Sequence, residues 1–369
     1  MRVKREAGVR VKRRKDIFGV ALAGAGAFGG RRAAAVGESA RTRLLVVADP
    51  EHARAAELAD SFAAEATTSW QQAVERDDVD IVVIATPPAI APEICLCAIH
   101  AGKHVLVEKP FGRAAREILP AVKAAEEANV RLKVGYNHRY HRGVAKAHEL
   151  FRDGALGRPL FLRCTYGHGG RPGYEREWRS HAAISGGGEL LDQGVHALDL
   201  FRWFAGEFSE ATAFLSTSYW PIAPVEDNVF ALLRTEDGVV AQLHASWTQW
   251  RNTFSFEVAG ELGSLGVSGL GRSYGPEKLI YTARASAGGP PQEACFEFGG
   301  KDESLSMEWC DFVDAIEECR EPMSSGADAW RTLQLAEAVY ESARERRIAS
   351  LGEAWHLAGA AQAAGARNA

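Results

Sequence analysis

Short apolar runs recur through the first half of the chain at 17–22, 44–48, 80–85, 103–107 and 131–135. Each is strand-length, bounded by turn residues and rich in Val, Ile or Leu. Segments with helical spacing separate them, at 28–37, 51–64, 90–101 and 114–128. Strand and helix in alternation predict a parallel sheet with crossover helices. Pro87-Pro88 and Pro110 follow two of the runs directly. The chain therefore turns at the carboxyl ends of these strands, where an open α/β sheet takes its ligand.

The rhythm changes after Gly135. A helix is expected over about 141–152, stopped by Gly154. Strand-like alternation then dominates, at 159–166, 209–218, 227–235, 238–248, 252–259 and 263–267. Glu236-Asp237-Gly238 reads as a hairpin turn. One helix, about 189–204, interrupts the strands, and two more, about 304–320 and 326–346, close the pattern. An α+β second domain follows, with antiparallel strands covered on one face by helices. The expected boundaries are a basic arm at 1–15, a first domain at 16–136, a second at 137–350 and a tail at 351–369.

A length of 369 residues exceeds the usual single core, which agrees with two domains. Net charge is −5, and removing the arm's eight Lys/Arg and one acid takes it to about −12, which argues against nucleic acid as a partner. No run of 18 apolar residues is present, so no membrane span is expected. The six cysteines, Cys95, Cys97, Cys164, Cys295, Cys310 and Cys319, form no CxxC and read as free thiols in a reducing cytoplasm. Arg13-Arg14 before the first apolar run also permits an export-leader reading, although cleavage after Ala23 or Ala27 would remove the first strand.

The first apolar run leads into Gly24-x-Gly26-x-x-Gly29, and Asp49 ends the next run about twenty residues later. This is the layout of a dinucleotide site. Gly24 would allow a tight turn, Gly26 the approach of a pyrophosphate, and Gly29 close packing of helix on strand. The N–H groups near Ala27 and Phe28 would open a helix towards the phosphates. Asp49 would accept hydrogen bonds from the adenosine ribose and repel a 2′-phosphate, favouring NAD over NADP. A plain Gly/Ala-rich turn is the competing reading.

Three further segments carry candidate chemistry: Thr86-Pro87-Pro88, Glu108-Lys109-Pro110, and Gly186-Gly187-Gly188 through Asp199. On a helix over 189–204, Asp192, His196 and Asp199 fall at i, i+4 and i+7 and share a face. An Asp and a His one turn apart can meet the same substrate oxygen, or can simply be a buried His capped by an Asp. Both are metal-ligand types, but no third ligand stands out, so no metal is expected.

Together these segments resemble the Gfo/Idh/MocA family of NAD(P)-dependent sugar and cyclitol oxidoreductases. The glycine turn matches its cofactor turn, Glu108-Lys109-Pro110 its EKP motif, and Gly186 to Asp199 its GGGxLxDxGxHxxD segment. Asn137-His138-Arg139-Tyr140 resembles its stretch after the sixth strand. The similarity runs over about 16–350. It implies an N-terminal Rossmann domain and a C-terminal domain with a large, open, mostly antiparallel sheet. It implies catalysis by Lys109, Asp192 and His196 on a secondary alcohol of a sugar or cyclitol. It further implies that Glu108 meets the nicotinamide ribose, that Thr86 and Pro87 line the cofactor cleft, and that Asp199 supports the site from behind. A homodimer or homotetramer through the open sheet is implied too. One departure is visible: Pro88 and Ala91 stand where members often carry Asn and His. An NAD-dependent glycosidase and a non-catalytic sugar sensor share these motifs and remain alternatives.

The loop His168 to His181 precedes the glycine-rich segment, at the mouth of the pocket in this family. Its residues His168, Arg171 and Arg179, with Tyr166 on the preceding strand, would contact substrate. The loop could hold a phosphate, a nucleotide or a carboxylate-bearing sugar, or be a solvated loop of Arg–Glu pairs.

Overall fold

The computed structural model describes residues 17–352; the basic arm and all but two residues of the 351–369 tail lie outside them. Six strands form the first sheet: β1 (Phe18–Ala23), β2 (Thr42–Ala48), β3 (Glu65–Thr67), β4 (Ile81–Ile84), β5 (His104–Val107) and β6 (Leu132–Val134). All pair in parallel, in the order β3-β2-β1-β4-β5-β6. Helices α1 (Ala27–Glu38), α2 (His52–Asp60), α3 (Trp70–Glu75), α4 (Ala91–His100) and α5 (Ala115–Ala128) connect them. Ile81 to Ile84 are completely buried, as a central strand covered on both faces must be. The strand order reverses beside β1, so the crevice at its carboxyl end opens at the glycine turn. The edge strand β3 and the short α3 were not foreseen. Glu65-Ala66-Thr67 is half exposed and has no apolar run to reveal it.

The second half begins with α6 (Arg142–Arg152), β7 (Pro159–Gly167), α7 (Ala182–Ser185) and α8 (Val195–Ala205). The strands β8 (Glu210–Ser216), β9 (Asn228–Arg234), β10 (Val240–Ser246), β11 (Thr253–Gly260), β12 (Gly263–Ser268), β13 (Glu277–Ala283) and β14 (Gln292–Phe298) follow, then α9 (Ser304–Glu317), α10 (Gly326–Glu345) and β15 (Ala349–Ser350). The nine strands run β14-β13-β12-β11-β7-β10-β9-β8-β15, antiparallel except for the β7–β10 pair. The α/β plus α+β architecture expected from the sequence is the one observed. Strands β13 to β15 were missed; β14 lies at the sheet edge and alternates weakly, with Glu293 and Glu297 in solvent.

Along β9, Val229, Ala231 and Leu233 are buried, whereas Phe230 and Leu232 face out. The outer face of this sheet therefore keeps large apolar side chains in water, with Phe214 of β8 81% exposed. Among the described residues no helix is long and apolar enough to cross a membrane.

The helix expected over 189–204 is interrupted. Leu190–Gly194 forms a wider π turn, and the regular α8 starts only at Val195. Such turns re-aim side chains within a helix.

The last two helices tie the halves together. Trp309, Phe312, Val313 and Ile316 of α9 pack against Val20 and Leu22 of β1, Leu44 and Val47 of β2, and Val36 of α1. Trp309 Nε1 donates to Thr42 Oγ1 at 3.1 Å, and Arg41 pairs with Asp314 at 2.6 Å. Helix α10 packs on α5, α8 and β8. The first sheet is thus closed by a helix from the far end of the chain. Trp309→Ala is expected to cost about 3–5 kcal/mol, the range for emptying a buried Trp site. Urea unfolding followed by circular dichroism would test this, and an unchanged midpoint would contradict it.

Candidate active site

The glycine turn is shaped by close approaches. Gly24 has φ +99°, and a Cβ there would lie 2.5 Å from the Ala85 carbonyl oxygen. A Cβ on Gly29 would lie 2.0 Å from the Gly24 carbonyl oxygen, so only glycine lets α1 start this close to the strand. Gly26 differs: a Cβ there would meet nothing within 4 Å, because its open side faces a cleft. Helix α1 has no side-chain cap at its start, leaving its first N–H groups free of side-chain partners. Across the turn, the buried Thr86 hydroxyl has no hydrogen-bond partner among the described residues. An uncapped helix start, an open glycine and an orphaned hydroxyl fit the diphosphate and ribose of a dinucleotide.

Gly24, Gly29 and Asp49 sit behind this surface. Asp49 is buried, and its two carboxylate oxygens accept the N–H groups of Ala25 and Glu51, each at 2.9 Å. It braces the turn against β2, and any ribose hydroxyl would share oxygens already bonded. Ala27, Phe28, Thr86, Pro87, Glu108 and Lys109 do line the cleft. Glu108 also forms a close ion pair with the buried Arg32 of α1, which reaches Glu308 of α9 at 2.6 Å.

The cleft, about 490 Å³, lies between the two sheets. Lys109 enters from the first half, just after β5. Its Nζ donates to the main-chain oxygen of Asp192 and lies 3.9 Å from the Asp192 carboxylate. Arg179 approaches the same carboxylate at 3.3 Å. Burial would raise the Asp192 pKa, but the Lys109 and Arg179 charges outweigh it and hold the group below its ordinary value. Asp192 therefore stays ionised. His196, one turn on, is buried and lines the cleft. Burial first, then the neighbouring His138 and Lys109, push its pKa well below the usual imidazole range. It is a neutral imidazole at pH 7, able to accept a proton.

The glycines upstream aim this segment. A Cβ on Gly188 would lie 2.0 Å from the Glu226 carbonyl oxygen, and one on Gly187 would lie 2.0 Å from the Tyr340 hydroxyl. The Glu226 carboxylate accepts the Gly188 N–H at 3.1 Å and the Leu190 N–H at 3.0 Å, fixing the start of the π turn. The expectation of one shared face is corrected for Asp199. Asp192 and His196 line the cleft, but Asp199 is buried beyond it and bonds Arg139 through both oxygens, at 2.8 and 2.6 Å.

Of the four residues expected to meet substrate, Tyr166 and Arg179 line the cleft. His168 and Arg171 do not. Arg171 is held by Glu177 through two bonds of 2.8 Å, and His168 Nδ1 accepts the Gly170 N–H at 3.0 Å. The only basic side chain that this loop turns into the cleft, Arg179, is already matched by Asp192. Lining residues to which the sequence assigned no role include Arg31, Asn137, His138, His141, Gln193, and Leu270 to Tyr274. The Asn137-His138 pair was visible as a motif without a function. The 270–274 loop had no motif, only Gly269, Gly271 and Gly275 marking a tight path; all three have positive φ. Among the described residues, no three His, Cys, Asp or Glu side chains converge as metal ligands would.

Comparison with known proteins agrees with this fold. The profile of the oxidoreductase family with an NAD-binding Rossmann fold, GFO/IDH/MocA, matches residues 18–136, and its C-terminal domain profile matches 144–266. Levoglucosan dehydrogenase of Pseudarthrobacter phenanthrenivorans is 30% identical, over 82% of this chain and 87% of its own. Inositol 2-dehydrogenase of Rhizobium meliloti is 28% identical, over 89% and 98%. A levoglucosan dehydrogenase structure in complex with NADH and levoglucosan superposes with a TM-score of 0.83 at 26% identity, covering 91% of this chain and 99% of that one. A structure of GenD2 from gentamicin A biosynthesis in complex with NAD gives 0.79 at 28% identity, covering 95% and 100%. The chain belongs to the Gfo/Idh/MocA family of oxidoreductases and carries that family's NAD-binding Rossmann domain.

Proposed function

We propose that this protein is an NAD-dependent dehydrogenase, or the corresponding ketoreductase, acting on a secondary alcohol of a neutral sugar or cyclitol. One observation carries the reading: Lys109 from one half meets Asp192 and His196 from the other in the cleft where α1 begins. When bound, the nicotinamide supplies hydride acceptance or donation at the substrate carbon. The protein's own groups handle the proton. His196, neutral and buried, takes the hydroxyl proton during oxidation and returns it during reduction. Lys109 donates a hydrogen bond to the reacting oxygen and stabilises the charge that develops there. Asp192, kept ionised by Lys109 and Arg179, orients the Lys109 ammonium and can accept a second substrate hydroxyl. The names of the relatives favour sugars and cyclitols, and the neutralised Arg179 favours an uncharged one. The loop therefore does not support a phosphate or nucleotide handle on the substrate.

The exposed Phe214, Phe230 and Leu232 on the outer sheet face support association of two or four copies there. The six free thiols suit a reducing cytoplasm.

Lys109→Ala is expected to lower kcat by about 10²–10³-fold, the scale for losing a transition-state donor, while NADH affinity changes little. Net NADH formation with inositol and 1,6-anhydroglucose would be read at 340 nm. Wild-type-like rates in that variant would remove the catalytic assignment, and turnover without net NADH would point to a glycosidase. Asp49→Asn keeps one of the two acceptors that hold the turn and loses the charge. It should raise the NADP-to-NAD ratio of kcat/KM by about tenfold; an unchanged ratio would contradict a role in choosing NAD. Phe214→Asp should convert the assembly to monomers in sedimentation experiments, and a wild type that is already monomeric would sink the interface.

A further inference from the structure

A base needs a fixed ring. The common device is a hydrogen bond on the imidazole nitrogen that faces away from the substrate. His196 has none: its Nδ1 is buried and without a partner among the described residues. What lies against the ring is another imidazole. His138 stacks on His196 with ring centres 3.7 Å apart and planes inclined by 20°.

His138 is itself wedged in place. Tyr166, His141 and Phe254 surround it at centroid distances of 5.2, 5.4 and 5.6 Å. Its Nδ1 lies 3.4 Å from Asn137 Oδ1, and the Asn137 amide donates to Ser304 Oγ of α9 at 2.8 Å. Tyr136 meets the edge of His196 at 6.0 Å. The charged and titratable groups around the pair are Lys109 after β5, Arg32 of α1, His141 and the phenols of Tyr136 and Tyr166. The Glu277 carboxylate is taken up on the far side of His141, at 3.4 Å. Burial, reinforced by these cations, lowers the pKa of both imidazoles.

We propose that His138 is a positioning residue for the alcohol chemistry, its stacked ring replacing the missing Nδ1 hydrogen bond by holding His196 in one orientation and shielding its flank from water. The proposal rests on His196 being the base. Its mechanical content is specific: the flat ring matters, and its nitrogens do not.

The test is the pH dependence of kcat/KM for alcohol oxidation at saturating NAD, in wild type, His138→Ala, His138→Gln, His138→Phe and His196→Ala. Activity requires unprotonated His196, so it is present above the His196 pKa and lost as pH falls through it. The wild-type acid limb should lie below the ordinary imidazole value of about 6.5. Removing the ring admits water, so the Ala and Gln variants should shift the limb up by about one pH unit, towards that value. His138→Phe keeps the ring and its shielding while removing only the electrostatic effect of the imidazole, so it should move the limb by much less than Ala or Gln does. A limb that stays put in whichever of the Ala and Gln variants folds, or that moves equally in Phe, overturns the proposal. Full activity in His196→Ala would instead overturn the reading of His196 as base, which separates the two failures.

Discussion

Arg32 is enclosed between two carboxylates, Glu108 at the end of β5 and Glu308 on α9. Burial works against its charge, and the two acids more than restore it. Three segments that are far apart in the chain meet at this one guanidinium: the cofactor-side helix, the strand end that bears Lys109, and the C-terminal helix over the first sheet. Removing one partner from a buried ionic group is costly, about 3–5 kcal/mol, because the others are left charged in a dry site. Even the backbone makes room for it. A Cβ on Gly135 would lie 2.6 Å from the Arg32 guanidinium and 3.0 Å from the Glu108 carboxylate. The position of Lys109, one residue after Glu108, therefore depends on a helix some two hundred residues away in sequence.

From that anchor the site separates two kinds of group. Asp192 lies between two cations and stays ionised. His196 lies among aromatic rings and cations, with no carboxylate on its buried nitrogen, and stays neutral. They stand one helical turn apart, so the difference comes from what other elements bring to each. The first half supplies Lys109, the 168–181 loop supplies Arg179, and the segment after β6 supplies His138. The π turn at Leu190–Gly194 lets Asp192 and His196 reach the cleft while Asp199 turns back to Arg139.

Much of this was legible in the sequence, for physical reasons. Buried parallel strands must be continuous apolar runs, so β1, β4 and β5 announced themselves. The glycines were readable because a turn this close to another backbone excludes any side chain. Lys109 and His196 came out of motifs and lie in the cleft. What was hidden depends on three-dimensional pairing. Nothing in the chain around Arg171 says that Glu177 will hold it away from the cleft. Nothing near Asp49 says that Ala25 and Glu51 will occupy its oxygens. The stack of His138 on His196 joins residues 58 positions apart, and an imidazole has no sequence signature for what it packs against. Strand β14 stayed unseen because an edge strand is not required to be apolar.

Helix α9 has a consequence for biosynthesis. The strands of the first sheet are complete by Val134, yet Val20, Leu44 and Val47 belong to a cluster closed by side chains from Leu305 to Ile316. At translation rates of about 5–20 residues per second, the roughly 170 residues between them take on the order of 10–30 s to emerge. Throughout that interval the apolar cluster that α1 and α2 form over β1 and β2 lacks the side chains of α9, so this half cannot complete its core in the order in which it is made.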